Sequence, residues 1–148
     1  MASKNHEGYS DPTAGRAMSE MMREYRRQQK EDWNRKYEIK TRPKVYVVSK
    51  YAGDIEANVA AAVRCCQYVI RKQKIPVASH LLYPAMLNDS DPKERELGTM
   101  FGLALLAVCN EVWVFQPPDG LSPGMQTEVQ EAKRLNKTIR YFDLEVTS

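Results

Sequence analysis

"KVYVVSKYAGDIEANVAAAVRCCQYVIRKQKIPVAS", Lys44 to Ser79, is the stretch whose reading decides the fold. "KVYVVS" (44–49) is a β-branched run of strand length and reads as a buried strand. "DIEANVAAAVRCCQYVIRKQ" (54–73) reads as a helix, with Asp54 at its start and Ile55, Val59, Ala62, Val63, Cys66 and Ile70 expected to face inward. "IPVAS" (75–79) is a short second strand. Two strands joined through a helix pair in parallel, because a tight turn cannot return the chain to the same end of the sheet.

Outward from this unit the alternation continues. The segment "HLLYPAMLNDS" (80–90) reads as a loop, and "DPKERELGTMFGLALLAVC" (91–109) as a second domain helix. Asp91 is its expected cap, Pro92 its first residue and Glu94 the closing member of a capping box. "EVWVF" (111–115) is a third strand, "PGMQTEVQEAKRLN" (123–136) a third helix and "KTIRYF" (137–142) a fourth strand. The series predicts an α/β fold: a three-layer, Rossmann-like (flavodoxin-like), mostly parallel sheet of four to five strands. With strand order 2-1-3-4, the order reverses between the first and third strands, and ligands in such sheets sit beyond the carboxyl ends there. The loops at that point are "SKYAGD" (49–54) and "QPPDGLSPGM" (116–125), the two richest in Gly and Ser.

Before Lys44 the chain changes character. Residues 1–10 are small and polar and are expected to be disordered. "SDPTAGRAMSEMMREYRRQQKEDWNRKYE" (10–38) reads as a helix with Asp11 as cap. Its Ala14, Ala17, Met18, Met21, Met22 and Tyr25 form an apolar stripe, expected to dock on the domain or on a second subunit. "TRP" (41–43) ends it, since a residue before proline is driven out of the α region. The division expected is therefore an extension over 1–43 and a domain over 44–148.

The net charge of +3 is unevenly spread: Arg16–Lys44 carries ten Lys/Arg against five Asp/Glu, and Val45–Ser148 eleven against twelve. The basic character thus belongs to the extension, where interleaved acids and the lack of stacking positions argue against nucleic acid. No apolar run approaches the ~18 residues of a membrane span. Cys65, Cys66 and Cys109 lack paired metal-site spacing, and with only two histidines no metal site is expected. Free thiols in apolar settings point to a reducing cytoplasm.

Several residues near the switch point carry polar chemistry with two readings each. "SKYAGD" is neither a dinucleotide fingerprint nor a Walker loop. Ser49 ends the first strand; Gly53 permits a tight turn; Asp54 either caps its helix or binds a ligand hydroxyl. Ser122 caps the "SPG" helix, whose N-terminus with Gly124 also suits a phosphate. His80 is structural or catalytic, and Arg95 is salt-bridged or reaches an anionic ligand. Glu128 is the most informative residue. At about 100° per residue it falls between Ala132 and Leu135 on the inward arc, while Glu131 falls outside it. A carboxylate on a buried face requires hydrogen bonding or a function.

Taken together, "VYVVSKYAGDIEANV", "PVASHLLYP", "DPKERELG", "LLAVCNEVWVF" and "LSPGMQTEVQEA" resemble the nucleoside 2-deoxyribosyltransferase-like superfamily over about residues 44–142. Within it the chain is most similar to a small domain common in phage and mobile-element genomes. That resemblance implies Glu128 as a nucleophile on the anomeric carbon of a nucleoside or nucleotide, with no cofactor. It implies that Ser49, Gly53, Ser122 and Gly124 hold a 5′-phosphate or ribose, with Met125 beside them, and that Asp54 and His80 lie near the sugar. The superfamily usually has aspartate where this chain has Asn110, which can orient a ligand but relays no proton. The resemblance also implies a homo-oligomer. Two functions remain open: an N-glycosyl transferase or hydrolase, and a non-catalytic binder of a nucleotide-derived molecule.

Overall fold

The computed structural model describes residues 12–148, so the expectations for residues 1–10 and for Asp11 as a cap lie outside the described residues. The chain divides into two units between Thr41 and Arg42. The first contains α1, Pro12–Lys40. None of its residues is buried, and the stripe residues Met18, Met21, Met22 and Tyr25 are exposed. Its surface charges pair along the helix, as in Arg27–Glu24 and Lys36–Asp32, contacts of little stabilising value at such exposure.

The second unit runs β1 (Lys44–Val48), α2 (Ile55–Arg71), β2 (Ile75–Val77), α3 (Pro92–Val108), β3 (Glu111–Gln116), α4 (Pro123–Arg134) and β4 (Thr138–Asp143). Between β2 and α3, the segment read as a loop forms two short 3₁₀ turns, Ser79–Leu81 and Tyr83–Ala85. The sheet has the order β2-β1-β3-β4 and all three pairings are parallel. The fold is thus the Rossmann-like α/β arrangement that the alternating sequence predicts.

The strands β1 and β3 are central and buried on both faces, hence their unbroken apolar runs. Their side chains alternate. Tyr46, Val48, Val112 and Val114 pack with Leu106 of α3 and Met125, Val129 and Ala132 of α4. Val45, Val47, Trp113 and Phe115 pack with Cys65 and Val69 of α2. Burial pushes the Cys65 thiol up to about 12 and that of Cys66 up to about 11, so both remain protonated at neutral pH.

The inward face of α2 differs from the expected one. Ala61, Ala62, Cys65 and Val69 are buried, whereas Ile55, Val63 and Ile70 are exposed and Val59 and Cys66 are half-buried. Apolar residues surround much of this helix, so spacing alone leaves its rotation undetermined, and the sheet selects the smaller residues for close approach. The capping box expected at α3 is also absent. Asp91 accepts from Lys93 N (2.9 Å) as the cap, but its own N–H donates to the Asn88 carbonyl (3.1 Å) and not to Glu94.

Candidate functional site

Because β1 lies between β2 and β3, the segments leaving β1 and β2 and entering α4 converge beyond the carboxyl ends of the strands. A cavity of about 480 Å³ opens there. Ser49, Tyr51 and Ala52 contribute from the β1–α2 loop, Ser79 and His80 from the turn after β2, and Ser122, Gly124, Met125, Thr127 and Glu128 from α4. The far wall is Tyr83 and Leu87 with the Gly98–Leu103 side of α3.

Glu128 is 8% exposed, on the inward arc where its helical phase places it. Its Oε2 is fully enclosed and has no hydrogen-bond partner among the described residues, and its Oε1 stands 3.5 Å from His80 Nε2. The other glutamate of the helix, Glu131, is spent on Arg134, whose Nε lies 3.0 Å away. The His80 ring is itself fixed, stacked on Tyr51 with centroids 5.0 Å apart and planes 14° from parallel.

Three residues that the sequence left unremarked complete the cluster. Tyr46 reads as one more strand residue, yet its hydroxyl reaches the cavity and shares a 2.9 Å hydrogen bond with Ser79 Oγ. Burial, then the negative charge of the nearby Glu128, raise the Tyr46 phenol far above its ordinary value. It therefore stays protonated and remains a donor. Gly102 of α3 faces the same pair: a Cβ there would stand 3.2 Å from both Tyr46 Oη and Ser79 Oγ. A side chain at position 102 would displace the hydroxyls, which explains a glycine inside a helix.

Other expected residues serve the frame. Asp54 caps α2, accepting from Ala57 N (3.2 Å), and neither it nor Gly53, whose φ is +102°, lines the cavity. Asn110 lies at the opposite end of the sheet, before β3, where its Oδ1 accepts from Lys44 N (2.8 Å). A residue that precedes a parallel strand is a strand length from the crevice, so the expected ligand contact of Asn110 is not formed from that position. Arg95 lines the cavity, but its guanidinium donates to the Asp89 carbonyl through Nε (3.0 Å) and Nη2 (2.9 Å). Ser122 caps α4 by accepting from Met125 N (3.3 Å). With Pro123 lacking an N–H, only the Gly124 amide of that first turn is left for a ligand, and no atom stands within 4 Å of where a Cβ on Gly124 would be. Among the described residues no group of three or more His, Cys, Asp or Glu could hold a metal ion, and no helix is long and apolar enough to cross a membrane.

The fold is similar to that of the 2-deoxyribosyltransferase from the psychrotolerant bacterium Bacillus psychrosaccharolyticus, with a TM-score of 0.58 and 11% identity over 68% of this chain and 72% of that one. It is also similar to a 2-desoxiribosyltransferase from Leishmania mexicana, with a TM-score of 0.51 and 12% identity over 68% of this chain and 64% of that one. At such identities the likeness is one of fold. No curated protein sequence matches. The model of the family described as "Domain of unknown function (DUF7768)" matches residues 43–142, and the chain belongs to that family.

Proposed function

We propose that the crevice binds a nucleoside and that Glu128 attacks its anomeric carbon. The bond between that carbon and the base nitrogen breaks, the base departs with the electron pair and takes up a proton, and a glycosyl ester forms on Glu128. Attack by the nitrogen of a second base, or by water, then releases the sugar and restores the carboxylate. The observation that carries this is the enclosed Glu128 carboxylate with one oxygen unpartnered beside a 480 Å³ cavity. Such a group is costly to bury, and a bound sugar gives it a purpose. The Tyr46 phenol lies near it and His80 Nε2 stands 3.5 Å from its Oε1, and the likeness in fold to two 2-deoxyribosyltransferases supports the same chemistry.

A nucleoside is favoured over a 5′-nucleotide. The cavity is lined by the acids Asp89, Glu94 and Glu128 against Arg95, and the first turn of α4 offers a single free amide. The test is chromatography after incubation with nucleosides and with nucleoside 5′-monophosphates. Free base from the wild type, absent with Glu128→Gln, is expected. Retention of intact nucleoside by both proteins would make the crevice a binding site without turnover.

Replacing Tyr46 with phenylalanine removes its hydrogen bond to Ser79 beside Glu128, worth about 0.5–1.5 kcal/mol, or roughly 2- to 13-fold in kcat. An unchanged kcat for Tyr46→Phe would remove the phenol from the mechanism.

A homo-oligomer is proposed as well. Leu97, Met100, Phe101 and Val108 on α3, and Ile55, Val63 and Ile70 on α2, are large apolar side chains left exposed, which a second copy of the chain would cover. Light scattering at micromolar concentration is expected to give a multiple of the 17.0 kDa chain mass. A monomer would sink the idea.

A further inference from the structure

Glu94, freed from the capping role its position suggests, lines the cavity and is half-buried. Among the described residues no hydrogen bond or ion pair engages its carboxylate, whereas its neighbour Arg95 is held by Asp89. Glu94, Gly98 and Gly102 follow at intervals of four on one face of α3, and all three line the cavity. Gly102 marks the deep end, against Tyr46 and Ser79. At Gly98 a Cβ would stand 3.4 Å from Leu87 Cδ1, so the floor there is close to its walls. Eight residues of helix span roughly 12 Å along the axis. Glu94 therefore stands about that far from the Tyr46–Ser79–Glu128 cluster, at the other end of a floor made of two glycines.

A nucleoside with its anomeric carbon at Glu128 lays its base along that floor, between Tyr83, Leu87 and Leu103, with its far edge toward Glu94. We propose that Glu94 reads this edge and selects bases carrying an exocyclic amino group, cytosine and adenine, over their oxo counterparts uracil and hypoxanthine. An ionised carboxylate only accepts hydrogen bonds. An amino group donates to it, as a carboxylate accepts from cytosine N4 in nucleic-acid recognition. An oxo group in the same place sets lone pairs against a negative charge. The role of Glu94 rests on nucleoside occupancy of the crevice, which the experiment separates from it.

Calorimetric titration of deoxycytidine, deoxyuridine, deoxyadenosine and deoxyinosine into Glu128→Gln, and into the double variant that also carries Glu94→Gln, measures selection without turnover. Base release by the single Glu94→Gln variant is measured in parallel. The expected preference for amino over oxo bases is about 10- to 100-fold with Glu94 present. It should shrink to within a few-fold with glutamine, whose amide both donates and accepts. Equal binding of amino and oxo nucleosides with Glu94 present, or a preference unchanged by Glu94→Gln, overturns the role. Base release with the same amino-to-oxo ratio in both proteins overturns Glu94 and leaves Glu128 as nucleophile. Amino selection without base release by the wild type does the reverse, and failure of all four nucleosides to bind overturns both.

Discussion

Replacing Glu128 with glutamine is expected to abolish base release while making the protein more stable. The two effects have one cause. In the folded chain Glu128 is 8% exposed, its Oε2 meets no donor, and the nearest basic atom, His80 Nε2, is 3.5 Å from Oε1. A carboxylate held there is under-solvated, and an isosteric neutral amide lessens that cost. Relief of about 1 kcal/mol corresponds to a rise in Tm of a few degrees for a domain of this size. The same change removes the nucleophile, for which a loss of at least about 10³-fold in kcat is expected. Thermal melts and initial rates on one preparation check both. Residual activity above a tenth of the wild type would show that the carboxylate is not the attacking group. A lower Tm would mean that the buried charge is satisfied in solution.

Trp113→Ala should produce the largest loss of stability. Trp113 is 1% exposed in the third position of β3 and fills the space under α2. Its ring meets Tyr68 edge-on at 6.2 Å and Phe142 at 5.0 Å, and the Arg140 guanidinium covers it at 5.4 Å. Its Nε1–H donates to Glu111 Oε1 at 3.3 Å. Truncation leaves a void that the sheet cannot close, at a cost of about 3–5 kcal/mol. Small domains possess about 5–15 kcal/mol in all, so urea unfolding should shift by about a fifth or more of the total. Trp113→Phe is expected to lose much less, because it keeps most of the ring contacts. A shift below about 1 kcal/mol for the alanine variant would place the packing of this face elsewhere.

The parallel sheet and its central strands were legible because they follow from few rules, and the crevice followed once the order 2-1-3-4 was assumed. Runs such as "KVYVV" and "EVWVF" declare central parallel strands, and the long connections force helices across the faces. The inward phase of Glu128 was legible too, since Val129 and Ala132 set the rotation of a helix whose other residues are polar. In α2 the same method failed, because apolar residues occupy too much of the circumference to choose a face. Tyr46 was hidden by its surroundings: a tyrosine among valines is the ordinary content of a strand, and only the third dimension brings its hydroxyl to Ser79. Glu94 was hidden by a local rule. Its spacing from Asp91 fits a capping box, and the sequence does not show that Asn88 has already taken the Asp91 amide.

The glycines at 98 and 102 set the cavity at odds with its own scaffold. Each sits in the interior of α3, where alanine is favoured by about 1 kcal/mol for the helix alone. A lineage pressed toward higher working temperature finds its simplest gains at these two positions. At Gly102 the gain is opposed by the two hydroxyls 3.2 Å from the added methyl, whereas at Gly98 the methyl would only come into ordinary contact with Leu87 Cδ1 at 3.4 Å. Heat-adapted members of the family are therefore expected to keep Gly102, to accept alanine at position 98, and to find the rest of their stability on the outer surfaces of the helices.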